Sequence, residues 1–273
     1  MQLVDLPSAA YHALDRVSST RLKCFGDAPD SPVEYTRRYL LGRPEEVSSE
    51  LIVGGAIHAL ALEGRKAFDL EYVIGPPCDR RYKAGKEIWS EFLTTVTDGR
   101  QPIRAKDFEL VSALADTLRQ DSGWMDLLAA GTWKSEQAIL FEHAGVACKC
   151  KPDLFGSYRG KPTLVDLKTL GEPANPISIK KAVLKYQYHM RLAFYLIGLD
   201  AEPADYDVVI VGVGKRKPHG CHVHIIPHAI MAEGRRKAES LLSKLSLWLK
   251  SPDKDRLVSE LSKEGSECKS TTQ

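Results

Sequence analysis

The chain of 273 residues contains 43% hydrophobic and 27% charged residues and carries a formal net charge of +2 at pH 7. This composition is typical of a globular protein with a sizeable core, and it excludes a disordered chain. So small a net charge does not indicate a nucleic-acid partner, but it leaves open how the charges are distributed.

The sequence carries no pattern of a targeting or membrane segment. Its first residues lack the basic start and apolar core of a signal peptide, and no run of about 18 apolar residues occurs. The six cysteines show no disulfide-like spacing, which agrees with a reducing compartment. We therefore expect a cytoplasmic protein that does not associate with membranes.

The chain up to about residue 132 shows helical patterns. Capping residues precede apolar stretches, as at Ser48, which opens a segment that Gly64 ends. Helices are predicted for residues 18–25, 31–40, 48–63, 84–95, 105–120 and 124–130.

From about residue 133 the pattern changes to short apolar segments between turn residues. Strands are predicted for residues 136–141, 146–155, 162–168, 206–213 and 221–226, and helices for residues 176–199 and 229–250. These elements predict an α/β core at about 133–250 behind a helical N-terminal section, all in one domain over residues 1–258. Residues 259–273 are rich in Ser, Lys, Glu and Thr, which predicts a disordered tail.

Two acidic residues and a lysine lie on neighbouring predicted strands. Strand alternation places Asp166 and Lys168 on one face and points Val165 and Leu167 into a core, and Asp153 lies on the strand before. The two carboxylates, a backbone carbonyl such as that of Leu167, water and a substrate phosphate would suit Mg²⁺ or Mn²⁺. Lys168 would orient or help activate the attacking water and offset charge on the phosphate. The pattern predicts a metal-dependent nuclease, with a structural salt bridge as the alternative.

Two further residues are candidates for the same site. Glu136 begins a predicted strand that a hairpin pairs with the strand of Asp153, so it is either an additional ligand or an exposed strand end. His58 lies in a predicted helix beside the small residues Gly54 and Gly55, which permit close helix approach. Its pattern alone fits a satisfied core histidine as well as a functional one.

Basic residues near these carboxylates are candidates for DNA contacts. Lys149 and Lys151 share the strand parity of Asp153 and are predicted to face the same surface. Lys181 would extend a track for the phosphate backbone, which contributes affinity but little sequence discrimination.

A predicted helix over residues 176–199 supplies a second set of candidates for DNA contacts. Gln187, Arg191 and Tyr195 are spaced at i, i+4 and i+8, which puts all three on one helix face. Such a stripe can contact phosphate and base, or it can simply line a groove.

Two motifs suggest cofactors but do not fit them. Residues 212–215 lack the four-residue gap and the Ser or Thr of a P-loop, so no nucleotide cofactor is expected. The histidines at 219, 222, 224 and 228 with Cys221 match no structural zinc spacing with paired cysteines.

Taken together, these motifs resemble the PD-(D/E)xK nuclease superfamily and, within it, the nuclease domain of the RecE-type recombination exonucleases (exonuclease VIII). The resemblance covers about residues 5 to 250. It rests on these motifs: Tyr11-His12, Val17-Ser18, Gly55-Ala56-Ile57-His58, Leu62-Glu63, Cys148-Lys149-Cys150-Lys151-Pro152-Asp153, Asp166-Leu167-Lys168, and the segment 188–195 from Tyr188 to Tyr195.

The resemblance implies a restriction-endonuclease-like fold, with a mixed central sheet flanked by helices. It implies that His58, Asp153, Asp166 and the Leu167 carbonyl bind Mg²⁺, that Lys168 is catalytic, and that Glu136 lies at the site. The four-cysteine iron–sulfur pattern of some related nucleases is absent, so no cluster is expected.

The resemblance also implies an activity and partners. The expected reaction is 5′ to 3′ degradation of one strand of linear double-stranded DNA, which leaves a 3′ tail for a single-strand annealing protein of the RecT type. A ring-shaped homo-oligomer would thread the duplex. Arg191 stands where the family usually has glutamine. Either the arginine itself binds phosphate bidentately, or Gln187, one turn earlier, substitutes for the glutamine. A nuclease with single-strand or flap specificity and a catalytically inactive DNA-end-binding protein are the alternatives.

Overall fold

A computed structural model of the protein describes residues 1–26, 31–42 and 48–270. Its strands are β1 Gln2–Val4, β2 Tyr72–Ile74, β3 Gln101–Ile103, β4 Gly131–Ser135, β5 Ala138–His143, β6 Val146–Cys150, β7 Leu154–Tyr158, β8 Lys161–Leu170, β9 Asp207–Gly214 and β10 Cys221–Ile226. Its α-helices are α1 Ser8–Ala13, α2 Ser19–Gly26, α3 Ser31–Tyr35, α4 Ser49–His58, α5 Arg65–Glu71, α6 Lys83–Thr95, α7 Ala105–Gln120, α8 Ser122–Ala129, α9 Pro176–Lys185, α10 Tyr188–Gly198, α11 His228–Leu249 and α12 Pro252–Ser270.

The centre of the molecule is a mixed sheet whose strands follow the order β10-β9-β8-β7-β4. β8 and β9 are parallel, and the other neighbours in this sheet are antiparallel. An antiparallel sheet of order β1-β5-β6 and a short parallel pair, β2 with β3, lie outside it. The predicted α/β class with a mixed sheet is confirmed.

The central strands are buried on both faces because their alternating side chains enter two different cores. Leu164 and Ile210 pack on one side with residues of α10 and α11. Val165, Leu167 and Val211 pack on the other side with residues of α4 and α7. Strands covered on both faces read as continuous apolar runs, as β9 does. The helical N-terminal section therefore shares a core with the sheet.

The segment predicted as one strand over residues 146–155 is two strands in different sheets. β6 ends at Cys150 and pairs with β5, whereas β7 begins at Leu154 and pairs with β8. Pro152 lies in the break, where its missing N–H interrupts no ladder. This break places Asp153 at the junction of the two sheets.

The helix predicted over residues 176–199 is also broken. α9 begins at an Asn175 cap and ends at Lys185, and α10 begins at Tyr188. Between them Gln187 adopts a left-handed backbone with φ of 57°. A residue in that conformation cannot continue a right-handed helix, so the chain changes direction here.

Other differences concern the ends of elements. Helix α4 begins after the Ser48 cap, as predicted, and its last turn over residues 59–63 is π-helical. Strands β1 to β4 and helices α1 and α5 lie where no element is predicted. Helix α12 covers residues from Ser259 onward that are predicted to be disordered, and Leu261 is buried. Residues 271–273 lie outside the described part.

Among the described residues, no helix combines enough length with enough apolar character to cross a bilayer.

Candidate active site

Three potential metal ligands from separate parts of the chain meet at the edge of the central sheet. His58 Nδ1 lies 3.2 Å from Asp153 Oδ1 and 3.9 Å from Glu136 Oε1. One ligand atom from each residue lies within 4.8 Å of the others. Nitrogen and carboxylate oxygen donors at this spacing can share one divalent cation.

Helix α4 carries His58 to this position by a close approach to its neighbours. A Cβ at Gly55 would stand 2.4 Å from the Tyr72 hydroxyl, so the helix can pack this closely only with glycine there. At the end of the helix, His58 Nε2 lies 2.8 Å from the Leu167 carbonyl oxygen on β8. The sequence indicated that the helix of His58 approaches its neighbours closely, but it did not indicate that the Leu167 carbonyl is the partner of His58.

Asp153 is fixed from two sides in the break between β6 and β7. Its Oδ2 accepts a hydrogen bond of 2.6 Å from the Leu167 N–H, and its carbonyl accepts one of 3.1 Å from the Glu136 N–H. Glu136 is not at the start of a strand, as predicted, but in the turn between β4 and β5 with φ of 48°. Its Oε2 lies 2.9 Å from Lys151 Nζ.

Asp166 and Lys168 share one face of β8, as strand alternation predicts. Lys168 Nζ lies 2.6 Å from Asp166 Oδ2 and donates a hydrogen bond of 3.1 Å to the Leu167 carbonyl. Asp166 is only 3% exposed, so its carboxylate is held in a largely water-free position. The Leu167 carbonyl thus lies between His58 and Lys168, with the two aspartates on either side.

Burial and charge act in opposite directions on the metal-ligand candidates. Burial would lower the pKa of His58, but the Asp153 and Glu136 carboxylates outweigh it and raise the pKa to about 10. Burial would raise the pKa of Asp153, but His58 and Lys168, together with the Leu167 N–H, lower it. In the metal-free protein the imidazolium therefore balances the carboxylates, and a metal ligand at His58 would be the neutral ring.

Burial and neighbouring charges also shift the pKa values of Asp166 and Lys168. Burial would lower the pKa of Lys168, but Asp166 and Asp153 outweigh it and raise the pKa well above its usual value. Burial and the Asp153 charge raise the pKa of Asp166, although Lys168 opposes them. Lys168 is therefore a fixed cation near neutral pH, suited to stabilise negative charge rather than to accept a proton.

These donors fit a hard divalent cation. The carboxylates of Glu136 and Asp153 and the imidazole of His58 converge on one point beside the Leu167 carbonyl, and the nearby positive charges are the protonated His58, Lys151 and Lys168. Oxygen-rich sets with a single nitrogen suit Mg²⁺ or Mn²⁺, which keep further waters.

Helix α10 lines one side of the site. Its Arg191 and Tyr195 both act electrostatically on Asp166 and Lys168. Arg191 Nη2 also lies 3.4 Å from Thr20 Oγ1, and the Tyr188 ring centroid lies 5.7 Å from Lys168 Nζ.

Sequence reasoning assigned no role to Tyr188 or Thr20. Tyr188, Arg191 and Tyr195 are spaced at i, i+3 and i+7, which places them on one helix face, and this spacing could have identified Tyr188. Thr20 has no local signal, because only the fold brings α2 beside α10.

Two residues predicted to contact DNA, Lys149 and Gln187, do not lie where the sequence pattern placed them. Lys149 is 3% exposed, and its ammonium donates to the carbonyls of Tyr11, His12 and Leu14, so it secures the N-terminal segment instead of facing DNA. Gln187 precedes α10 in a left-handed conformation and accepts a hydrogen bond from Lys237. It is therefore not on the helix face of Arg191 and Tyr195.

The remaining basic candidates stay predictions. Lys151 lies at the site, but it pairs with Glu136 and is largely buried. Lys181 is exposed on α9.

A family model described as "PDDEXK-like domain of unknown function (DUF3799)" matches residues 18–255. The chain belongs to this family. The predicted PD-(D/E)xK superfamily and its restriction-endonuclease-like fold are thereby confirmed, and the matched range spans every element that forms the site. A search of the curated proteins gave no match.

Solved structures show where else the PDDEXK-like fold occurs. A crystal structure provisionally described as an exonuclease from Eubacterium rectale matches with a TM-score of 0.58 at 15% identity, over 94% of this chain and 88% of that one. At 15% identity this similarity shows a shared fold and nothing further. LHK-Exo in complex with dAMP matches with a TM-score of 0.35 at 11% identity, over 93% of this chain and 95% of that one. That score is too low to support an inference about this chain.

Proposed function

We propose that this PDDEXK-like protein is a metal-dependent exonuclease that degrades linear double-stranded DNA. The observation that carries the proposal is the convergence of His58, Glu136 and Asp153 beside the Asp166–Lys168 pair. A structural salt bridge would not require three further ligand-type residues from distant parts of the chain at the same point. The cluster also sits on a family fold named for this motif.

His58, Asp153, Asp166 and the Leu167 carbonyl would hold Mg²⁺, or Mn²⁺ in its place. When bound, such an ion supplies an acidified water and neutralises charge on the phosphate. Glu136 lies within reach of the same point and orients His58. The Leu167 N–H fixes Asp153 by a hydrogen bond, so the donors are arranged before any substrate arrives.

Lys168 would stabilise the negative charge that grows on the phosphate and orient the attacking water. Its ammonium is already positioned 2.6 Å from Asp166 and retains its proton near neutral pH, so it offers charge without a protonation step. Arg191 and Tyr195 would contact the backbone next to the scissile phosphate, with Lys181 further along the strand.

The finer assignments rest on the sequence resemblance to RecE-type exonucleases. They are degradation from the 5′ end, a 3′ single-stranded tail, transfer to an annealing protein of the RecT type, and a ring-shaped homo-oligomer around the duplex. Their support is the set of motifs from Tyr11-His12 to the helix that ends near Tyr195.

End dependence and polarity can be tested in one time course. We expect linear duplex to be consumed while covalently closed circles resist, and 5′ phosphorothioate protection to block digestion while 3′ protection does not. Cutting of circles, or preference for single strands or flaps, would replace the duplex exonuclease with another nuclease specificity. Binding of duplex ends without hydrolysis across a range of Mg²⁺ and Mn²⁺ would favour an inactive end-binding protein.

A further inference from the structure

A groove of about 750 Å³ lies in the helical N-terminal section, outside the site described above. One wall is the segment from Pro76 to Arg81, which follows β2, and the other is the start of α7 from Arg104 to Glu109, with Trp89 of α6 at its base. This volume suits a small molecule or a few monomers of a polymer rather than a folded partner.

The groove lining is positively charged. It contains four cationic side chains, Arg80, Arg81, Arg104 and Lys106, and two acidic ones, Asp79 and Glu109. Two of the cations are neutralised locally, because Arg81 pairs with Asp79 and Arg104 pairs with Asp107.

The other two cations are available to a ligand. In the part of the chain that the structure describes, neither Arg80 nor Lys106 forms a hydrogen bond or an ion pair with another residue. Both are exposed, and of the acidic residues in the lining only Glu109 remains unpaired. A ligand with two or more negative charges would satisfy both cations.

Arg80 adds a planar surface to this charge. Its guanidinium carbon lies 4.9 Å from the ring centroid of Trp89, which is buried beneath it. The guanidinium lies over the indole ring, and the Arg80 side chain is exposed to solvent. Stacked guanidinium and indole groups are surfaces on which nucleobases stack.

The groove is built before any ligand binds. A Cβ at Gly85 would stand 2.1 Å from the Asp79 carbonyl oxygen, and one at Gly75 would stand 2.4 Å from the Trp89 ring, so the segment after β2 is seated tightly on α6. The Tyr82 N–H and the Arg81 N–H both bond to Asp79. These contacts hold the charged side chains on a rigid wall.

One wall of the groove follows directly after a strand that packs against the helix carrying His58. A Cβ at Gly55 of α4 would stand 2.4 Å from the hydroxyl of Tyr72, which is the first residue of β2. β2 ends at Ile74, and the groove begins two residues later at Pro76.

We propose that this groove binds a single-stranded segment of nucleic acid, with phosphates on Arg80 and Lys106 and a base against the Arg80–Trp89 stack. The inference rests on the proposed nuclease function for its choice of ligand. An acidic peptide would use the two cations but not the stacking surface. The segment held here lies outside the catalytic centre, so the groove contributes affinity and not chemistry.

The test compares two double variants, each of which removes one arginine and one lysine. Arg80→Ala with Lys106→Ala removes the proposed contacts, and Arg236→Ala with Lys244→Ala removes one Arg and one Lys exposed on α11, which packs on the opposite side of the central sheet. Binding of a fluorescent single-stranded oligonucleotide is measured by anisotropy in EDTA over a range of salt, after thermal unfolding shows that each variant folds.

We expect the groove variant to bind about tenfold more weakly and its salt slope to fall by roughly 1.4, which corresponds to two lost phosphate contacts. The α11 variant should keep the wild-type affinity and slope. Unchanged binding by the groove variant, equal weakening by both variants, or displacement of the oligonucleotide by polyglutamate at equal charge would overturn the proposal.

Failure of this inference and failure of the proposed function are distinguishable. The binding comparison needs no hydrolysis, so it stands even for a wild type without nuclease activity. Hydrolysis of a substrate too short to reach the groove, in the presence of Mg²⁺, should be equal in the wild type and the groove variant. Loss of that hydrolysis in the groove variant would also overturn the proposal, because it would place Arg80 or Lys106 in the catalytic step.

Discussion

At the scale of single residues, strand alternation predicted the relation between Asp166 and Lys168 because both lie on one strand. His58 could not be placed in this way. It is separated from Leu167 by 109 residues along the chain, and only the packing of α4 against β8 brings their atoms to 2.8 Å. The prediction for Lys149 was wrong because β6 ends before Asp153 and the N-terminal segment covers the lysine.

Substitution of Lys149 tests whether this residue holds the N-terminal segment and does not contact DNA. Lys149→Ala leaves three carbonyl acceptors in a buried position without their donor, so it should lower the free energy of unfolding by about 1 to 3 kcal/mol. The affinity for DNA of the folded protein should not change. Lys181→Ala on the exposed α9 is the matched control and should leave the unfolding midpoint unchanged. A Lys149 variant with wild-type stability and weakened DNA binding would restore the original prediction.

Arg191 and Gln187 provide a second test at this scale. Arg191 lies beside Asp166 on α10, whereas Gln187 is held by Lys237 before the helix begins. Arg191→Ala should therefore reduce the rate of DNA hydrolysis by at least about tenfold, as expected for a lost charged contact to phosphate. Gln187→Ala should reduce it less, and the reverse ranking would show that Gln187 is the DNA contact.

At the scale of elements, periodicity located α7 and β10 at their observed bounds and most other elements within a few residues. It could not show that the apolar run over residues 146–155 divides between two sheets, because both halves read as strand. It also could not show the left-handed turn at Gln187, since the residues on either side favour helix. Both breaks serve the site: the first positions Asp153, and the second directs Arg191 toward Asp166.

The adjacent glycines of α4 test whether its close approach sets the position of His58. A Cβ at Gly54 would meet nothing within 4 Å, whereas a Cβ at Gly55 would stand 2.4 Å from the Tyr72 hydroxyl. Gly54→Ala should therefore raise stability by about 0.5 to 1 kcal/mol through helix propensity. Gly55→Ala should be less stable than Gly54→Ala and should bind Mn²⁺ more weakly. Equal unfolding midpoints and equal Mn²⁺ affinities would show that the close contact does not position the histidine.

At the scale of the whole molecule, composition and periodicity were enough for the α/β class, and the resemblance added the fold. The helical N-terminal section shares a core with the central sheet, because α4 and α7 cover the face that Val165 and Leu167 present. The groove beside α6 and α7 could not be assembled from the sequence, because its cations come from two segments that only the fold brings together.

Metal binding should stabilise the whole fold, since the ligands come from α4, the β4–β5 turn, the β6–β7 break and β8. Mn²⁺ at about a hundred times its dissociation constant should raise the free energy of unfolding by roughly 2.7 kcal/mol. Asp153→Asn should abolish most of this gain, and the exposed Asp116→Asn should retain it. A metal-induced shift that is the same in both variants would place the cation elsewhere.

We propose that the cluster at His58, Asp153 and Asp166 hydrolyses DNA. The most direct measurement is the release of label from 5′-labelled linear duplex by wild type and by Asp166→Ala, each with and without Mg²⁺, with Asp116→Ala as the control for an exposed acid. We predict release by the wild type and the control only in the presence of Mg²⁺, and none by Asp166→Ala. Release by folded Asp166→Ala at the wild-type rate would show that this cluster does not hydrolyse DNA.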